Sequence, residues 1–172
     1  MEFEIYLLMT MTCDDALKEA KLSGIDVSVD RATAISAAVS TQTGIGPSQF
    51  ENMRNIMRSG SFTEDERTLS YRLNFWPGFS FLIAAAEGGL IADAKFVRTP
   101  GGHRPHITSP EELAPWSVTI NELAEMFGPL RDGDHWPPYE EYLFEDHHGT
   151  LYGAGFSWGL MQDIEKIGHT SP

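Results

Sequence analysis

The chain has 172 residues, 41% of them hydrophobic and 11% aromatic, and a formal net charge of −13. That length suits one domain with a sizeable core, and the apolar content excludes global disorder despite the charge. So negative a surface also excludes nucleic acid and anionic lipid as partners, because binding either would concentrate like charge.

The opening MEFEIYLLMTM is apolar but short, with Glu2 and Glu4 where an export signal would carry positive charge. No run approaches the roughly 18 apolar residues that span a bilayer. The single cysteine, Cys13, cannot form an intramolecular disulfide. Together these predict a cytoplasmic protein, neither exported nor embedded in a membrane.

In chain order, residues 3–9 predict a buried strand, apolar on both faces. Thr12 is expected to cap a helix over 13–22 that Gly24 stops. Asp30 is expected to cap a second helix, with Ala34, Ile35, Ala38 and Val39 as its packed face. Pro47 opens a third, striped by Phe50, Met53, Ile56 and Met57 and closed by Gly60. The period then changes. Leu69, Tyr71, Leu73 and Phe75 alternate with polar residues as a half-buried strand does. Trp76-Pro77-Gly78 predicts a turn, and Glu87-Gly88-Gly89 predicts a hairpin between 79–86 and 90–97. A helix over 79–96 also fits the apolar spacing, but paired glycines cost about 1 kcal/mol each in a helix interior.

Residues 98–110 predict a loop, followed by a helix start at Ser109-Pro110-Glu111-Glu112 that Pro115 cuts short. Ser117 is expected to cap a helix carrying Ile120, Leu123, Ala124 and Phe127 on one face, ended by Gly128-Pro129. DGDHWPP predicts a loop and His147-His148-Gly149 a second hairpin, between strands 139–145 and 150–158. Leu160, Met161, Ile164 and Ile167 predict a final short helix. The expected whole is a single α+β domain over 1–172: an antiparallel sheet, meander plus C-terminal hairpin, packed with several short helices.

The charge is segregated. Residues 1–104 carry a net −3, and 105–172 carry 12 acids against two bases, a net −10. The stretch from Asp132 to Glu165 holds eight carboxylates and no lysine or arginine. Its acids are interleaved with Trp136, Tyr139, Tyr142 and Phe144, which supplies aromatic anchors inside a field of one sign. On that pattern the leading expectation is a non-enzymatic binding module, an inhibitor or immunity-type protein that occludes a basic partner protein. Its docking residues would be Asp132, Asp134, Trp136, Glu140, Glu141, Glu145 and Asp146, and it would need no cofactor.

The alternative is a small-molecule enzyme, a hydrolase or a lyase or isomerase. His135 or His147 with Asp134 or Asp146 would move a proton in a pocket lined by aromatic rings. Adjacent residues on a strand point to opposite faces, which argues against Asp146 and His147 sharing one pocket. In a metal-dependent version His103, His106, His135, His147 and His148 would supply the ligands for a divalent ion, although no ligand motif of familiar spacing is present. Gly155-Phe156-Ser157-Trp158-Gly159 matches the nucleophile pattern G-x-S-x-G. Only 15 residues follow the serine, however, with Asp163 and His169 as the nominal partners. The glycines are better read as allowing close packing of the last strand.

Overall fold

The computed structural model describes residues 1–58, 60, 62–65 and 67–169, with the side chains of Phe62 and His169 outside the described part. The chain is an α+β protein whose described residues form five α-helices and two four-stranded antiparallel sheets. It divides into two units: Met1–Thr10 with Asp14–Pro100, and Met11–Cys13 with residues 101–169.

The first unit begins with a correction. Residues expected as a strand form helix α1, Glu2–Met9. Phe3, Ile5, Leu7 and Leu8 are all at most 1% exposed. An apolar run buried on every side has no one-sided pattern, so its period cannot separate helix from strand. The helices expected next are present with shifted caps. Asp14, not Thr12, caps α2 (Asp15–Ser23), its carboxylate accepting from the Ala16 N–H at 2.8 Å. Ser28, not Asp30, caps α3 (Val29–Thr43). The buried face of α3 is Ala32, Val39 and Thr43, while Ala34 and Ala38 face solvent. In α4 (Gln49–Met57) the methionine stripe is core: Phe50, Met53 and Met57 are buried.

The sheet of this unit is a meander of β1 (Phe62–Glu64), β2 (Thr68–Arg72), β3 (Phe79–Ala85) and β4 (Ile91–Arg98) in sequence order. Leu69, Tyr71, Leu73 and Phe75 are buried as their alternation predicts. Gly88 and Gly89 turn the β3–β4 connection at φ of 77° and 81°. A Cβ on Gly89 would stand 2.0 Å from the Pro47 carbonyl oxygen, so only glycine fits there. Phe3 meets Tyr71 and Phe81 edge-on, with ring centroids 5.2 and 5.4 Å apart. Beside it Glu4 is fully buried, its carboxylate accepting from the Asn74 and Phe75 N–H groups at 2.8 and 2.7 Å.

The second unit packs α5 (Ile120–Phe127) against a second meander. The helix is capped by Thr119, not Ser117, in a reciprocal box with Glu122. The strands are β5 (Arg131–Trp136), β6 (Tyr139–Glu145), β7 (Thr150–Ser157) and β8 (Leu160–His169), again in sequence order. Both β5 and β8 are corrections: the DGDH loop and the final helix are strands. In each, bulges disguise the period. Gly133 and Asp134 together oppose Glu141 on β6. On β8, Met161 pairs with Phe156 and Asp163 with Gly155, which leaves Gln162 as an extra residue. A one-residue insertion moves the next apolar position from two residues on to three, and Met161 and Ile164 then mimic a helical spacing. Val118, Leu123, Phe144, Tyr152, Phe156 and Met161 form the core of this unit.

One contact within it gives the unit a pH signature. The Tyr152 hydroxyl and the Ser109 hydroxyl both donate to the Glu111 carboxylate. These hydrogen bonds, Ser109's first, hold the Glu111 carboxyl down to about 2, and the Glu111 bond pushes the Tyr152 phenol up to about 12. A depressed carboxyl stabilises the fold above its unfolded value of 4.5, and that contribution is lost as pH falls through about 2. For the raised phenol it is present below 10 and lost as pH rises through about 12. Tyr152→Phe is expected to return the Glu111 titration towards 4.5, measured by carbon-detected NMR. An unmoved Glu111 titration would mean that the phenol does not set it.

Candidate functional site

On β7 the core takes Tyr152, Ala154 and Phe156, so Gly153, Gly155 and Ser157 face the other way. Directly paired residues share a face, which places Tyr139 opposite Ser157, and Glu141 and Asp163 on either side of Gly155. Trp136 pairs with Tyr139 across the tip of the β5–β6 hairpin, their rings 4.6 Å apart. Trp136 is 59% exposed. The outer face of this sheet therefore carries two rings beside a carboxylate trough floored by glycine.

The carboxylates lean over the glycines. A Cβ on Gly155 would lie 2.8 Å from the Asp163 Oδ1, and one on Gly133 2.7 Å from the Glu141 Oε2. Glu141 also accepts the Asp134 N–H at 3.3 Å. Among the described residues neither Glu141 nor Asp163 has a lysine or arginine partner. Desolvation raises the Asp163 carboxyl, against a hydrogen bond from the Gly155 backbone, and the charges of Glu141 and Glu165 raise it further. Desolvation also raises the Tyr139 phenol, with Glu141, Asp163 and Asp134 adding to the effect. Such a face carries uncompensated negative potential, which a cation would relieve.

The residues singled out by sequence are only partly brought together. Asp134, Trp136 and Glu141 lie on this face. Asp132 and Glu140 lie on the opposite one beside Tyr142, whose hydroxyl donates to Glu140 at 3.0 Å. Desolvation, the Glu140 hydrogen bond and the two nearby charges push the Tyr142 phenol up to about 12. Glu145 is paired with Arg131 at 3.0 Å. Asp146 is taken up by the β6–β7 turn, accepting from the His148 and Thr150 N–H groups at 2.9 and 2.8 Å. Against desolvation, these bonds and the two neighbouring histidines keep its carboxyl below the ordinary value. Asp163 and Glu165 also lie on the outer face, where the sequence did not place them because a helix was expected there.

The acid–base candidates do not converge on one site but remain as two separate pairs, Asp134 with His135 and Asp146 with His147. His135 pairs with Glu140 at one end of β6, and Asp146 and His147 follow its other end. At 3.3 Å per residue that separates Asp134 and His135 from Asp146 and His147 by roughly 20 Å. The His147 and His148 rings lie 4.0 Å apart, but no group of three or more His, Cys, Asp or Glu among the described residues is placed to hold a metal ion. His103, His106, His135, His147 and His148 are thus not gathered into one ligand set.

Ser157 is fully buried, with its Oγ accepting the Thr12 N–H at 3.2 Å and lying 3.2 Å from the Thr12 Oγ1. Trp158 and Gly159, at φ of 55° and 72°, form a two-residue hairpin turn rather than a strand-to-helix elbow. The His169 side chain lies outside the described residues. A cavity of about 360 Å³ lies beside the β6–β7 turn, lined by Ile107, Met126 and Phe127 with Glu145, Asp146 and His147. No described helix is long and apolar enough to cross a membrane.

No protein-family model matches the chain, and no solved structure matches it. Among characterised proteins it is similar to the non-hemolytic phospholipase C of Pseudomonas aeruginosa, 29% identical over 102 residues. Those residues are 58% of this chain but only 14% of that enzyme's length.

Proposed function

We propose that this is a non-enzymatic acidic binding module that docks on a basic protein and occludes its surface, as an inhibitor or immunity-type protein does. The observation that carries this reading is the outer face of β5–β8, where Asp134, Glu141 and Asp163 stand around the exposed Trp136–Tyr139 ring pair with no lysine or arginine partner among the described residues. A one-signed field speeds encounter, and rings at its centre supply affinity once water is excluded. A cytoplasmic setting fits the single cysteine, Cys13, which is buried.

The test is calorimetric titration of a panel of basic nucleases and nucleic-acid-binding proteins at about 50 and 500 mM salt, where the Debye length falls severalfold. Binding to at least one is expected, weakening at least tenfold in high salt. Glu141→Lys with Asp163→Lys is expected to abolish it, while Asp132→Lys with Glu140→Lys, on the opposite face, has a smaller effect. Binding that survives the first pair, or ignores salt, rejects the reading.

A second reading takes its support from the phospholipase C similarity and the cavity lined by Glu145, Asp146 and His147. It is a hydrolase acting on a phosphodiester. Turnover of bis-p-nitrophenyl phosphate that disappears in His147→Ala would favour it. Turnover unchanged by that substitution, or none above buffer, would remove it.

A further inference from the structure

We propose that the outer face of β5–β8 is a receptor for an arginine side chain, so that the basic partner engages it through an exposed arginine rather than through lysines or diffuse positive charge. This rests on the docking reading above and specifies the chemistry of its occupant. Three observations lead to it. First, Trp136 is 59% exposed at the tip of a hairpin, with its ring against that of Tyr139 at 4.6 Å and a tilt of 34°. An exposed indole set against a second ring is a flat, electron-rich platform, and a guanidinium plane stacks on such a surface with less desolvation cost than an ammonium ion.

Second, two carboxylates share the face of the ring pair. Tyr139 and Glu141 are two residues apart on one strand and share a face, and Asp163 stands on the far side of Gly155 from Glu141. The absence of a Cβ on Gly155 keeps the floor low between them, and the Asp163 carboxylate leans over it. A guanidinium lying on the ring pair has donors left at its edges for two carboxylates, whereas an ammonium is a point charge with no face to stack.

Third, among the described residues the trough has no lysine or arginine partner of its own. The one arginine of β5, Arg131, is paired with Glu145 at 3.0 Å. The fold thus satisfies the acids at the β6–β7 turn with internal partners, and among the described residues leaves those beside the rings with backbone hydrogen bonds but no lysine or arginine. Charge complementarity there selects a cation, and the rings select its shape.

The experiment titrates two peptides of equal charge, nona-arginine and nona-lysine, into the full chain at low salt, followed by calorimetry and tryptophan fluorescence. Nona-arginine is expected to bind about tenfold more tightly, and Trp136→Leu, which keeps apolar bulk but removes the indole face, to remove most of that preference. Nona-lysine affinity should change less than about twofold in the same variant, and Glu141→Gln with Asp163→Asn should weaken both peptides. Equal affinity for the two peptides, or an arginine preference untouched by Trp136→Leu, overturns the arginine receptor. If the carboxamide variants still weaken both peptides in that case, the acidic docking face stands. Failure of both peptides to bind at low salt overturns the docking reading and this inference together.

Discussion

Glu4→Ala is expected to destabilise the first unit by on the order of 4 kcal/mol, among the largest single-residue effects in the chain. The carboxylate is fully buried on α1 and accepts from the Asn74 N–H, the Asn74 Nδ2 and the Phe75 N–H at 2.8, 2.9 and 2.7 Å. It therefore fastens the connection between β2 and β3 to the first helix. Truncation would leave the Phe75 N–H buried and unpaired and open a hole beside Phe3 and Ile5. Glu4→Gln preserves the volume but has one acceptor oxygen and turns an NH₂ group towards a donor, so roughly half the loss is expected. Urea denaturation measures both, as a lower midpoint with an unchanged slope. A loss under about 1 kcal/mol for alanine would mean that water replaces the carboxylate at that turn.

The second large effect separates two neighbours in the one stretch that resembles a catalytic motif. Phe156→Ala is expected to cost about 3–5 kcal/mol, because its ring is fully buried against Tyr142, 5.9 Å between centroids, within the core of the second unit. Ser157→Ala is expected to cost about 1 kcal/mol, the worth of its hydrogen bonding to Thr12. A fluorophosphonate probe should leave Ser157 unlabelled, since its side chain is fully buried and its Oγ is engaged with Thr12. Labelling at Ser157, or a serine substitution more damaging than the phenylalanine one, would restore the nucleophile reading.

Where the chemistry was local, the sequence was enough. The methionine stripe of α4, the alternation through Leu69 and Tyr71, the paired glycines after β3 and the hairpin at His147-His148-Gly149 all act within a few residues, and each formed as its spacing predicts. The α+β class and the acidity of the second unit follow from the same information. Caps were found to within two residues, because Ser, Thr and Asp neighbours compete for one helix end and packing decides among them.

The site needed more. Glu140 and Glu141 look alike in the sequence, yet pleating sends one towards Tyr142 and the other to the outer trough. Asp163 could not be grouped with Glu141 until a bulge at Gln162 turned an apparent helix into a strand. Residues 22 positions apart become neighbours across Gly155 only through the pairing of three strands. Composition and period settled the α+β class, the helices α2 to α5, the strands β2, β3, β4, β6 and β7, and how much charge the chain would carry, but not α1, β5 or β8. Long-range register, with its one-residue insertions, decided which carboxylates share a face, because a single slip sends every later side chain to the other side of the sheet.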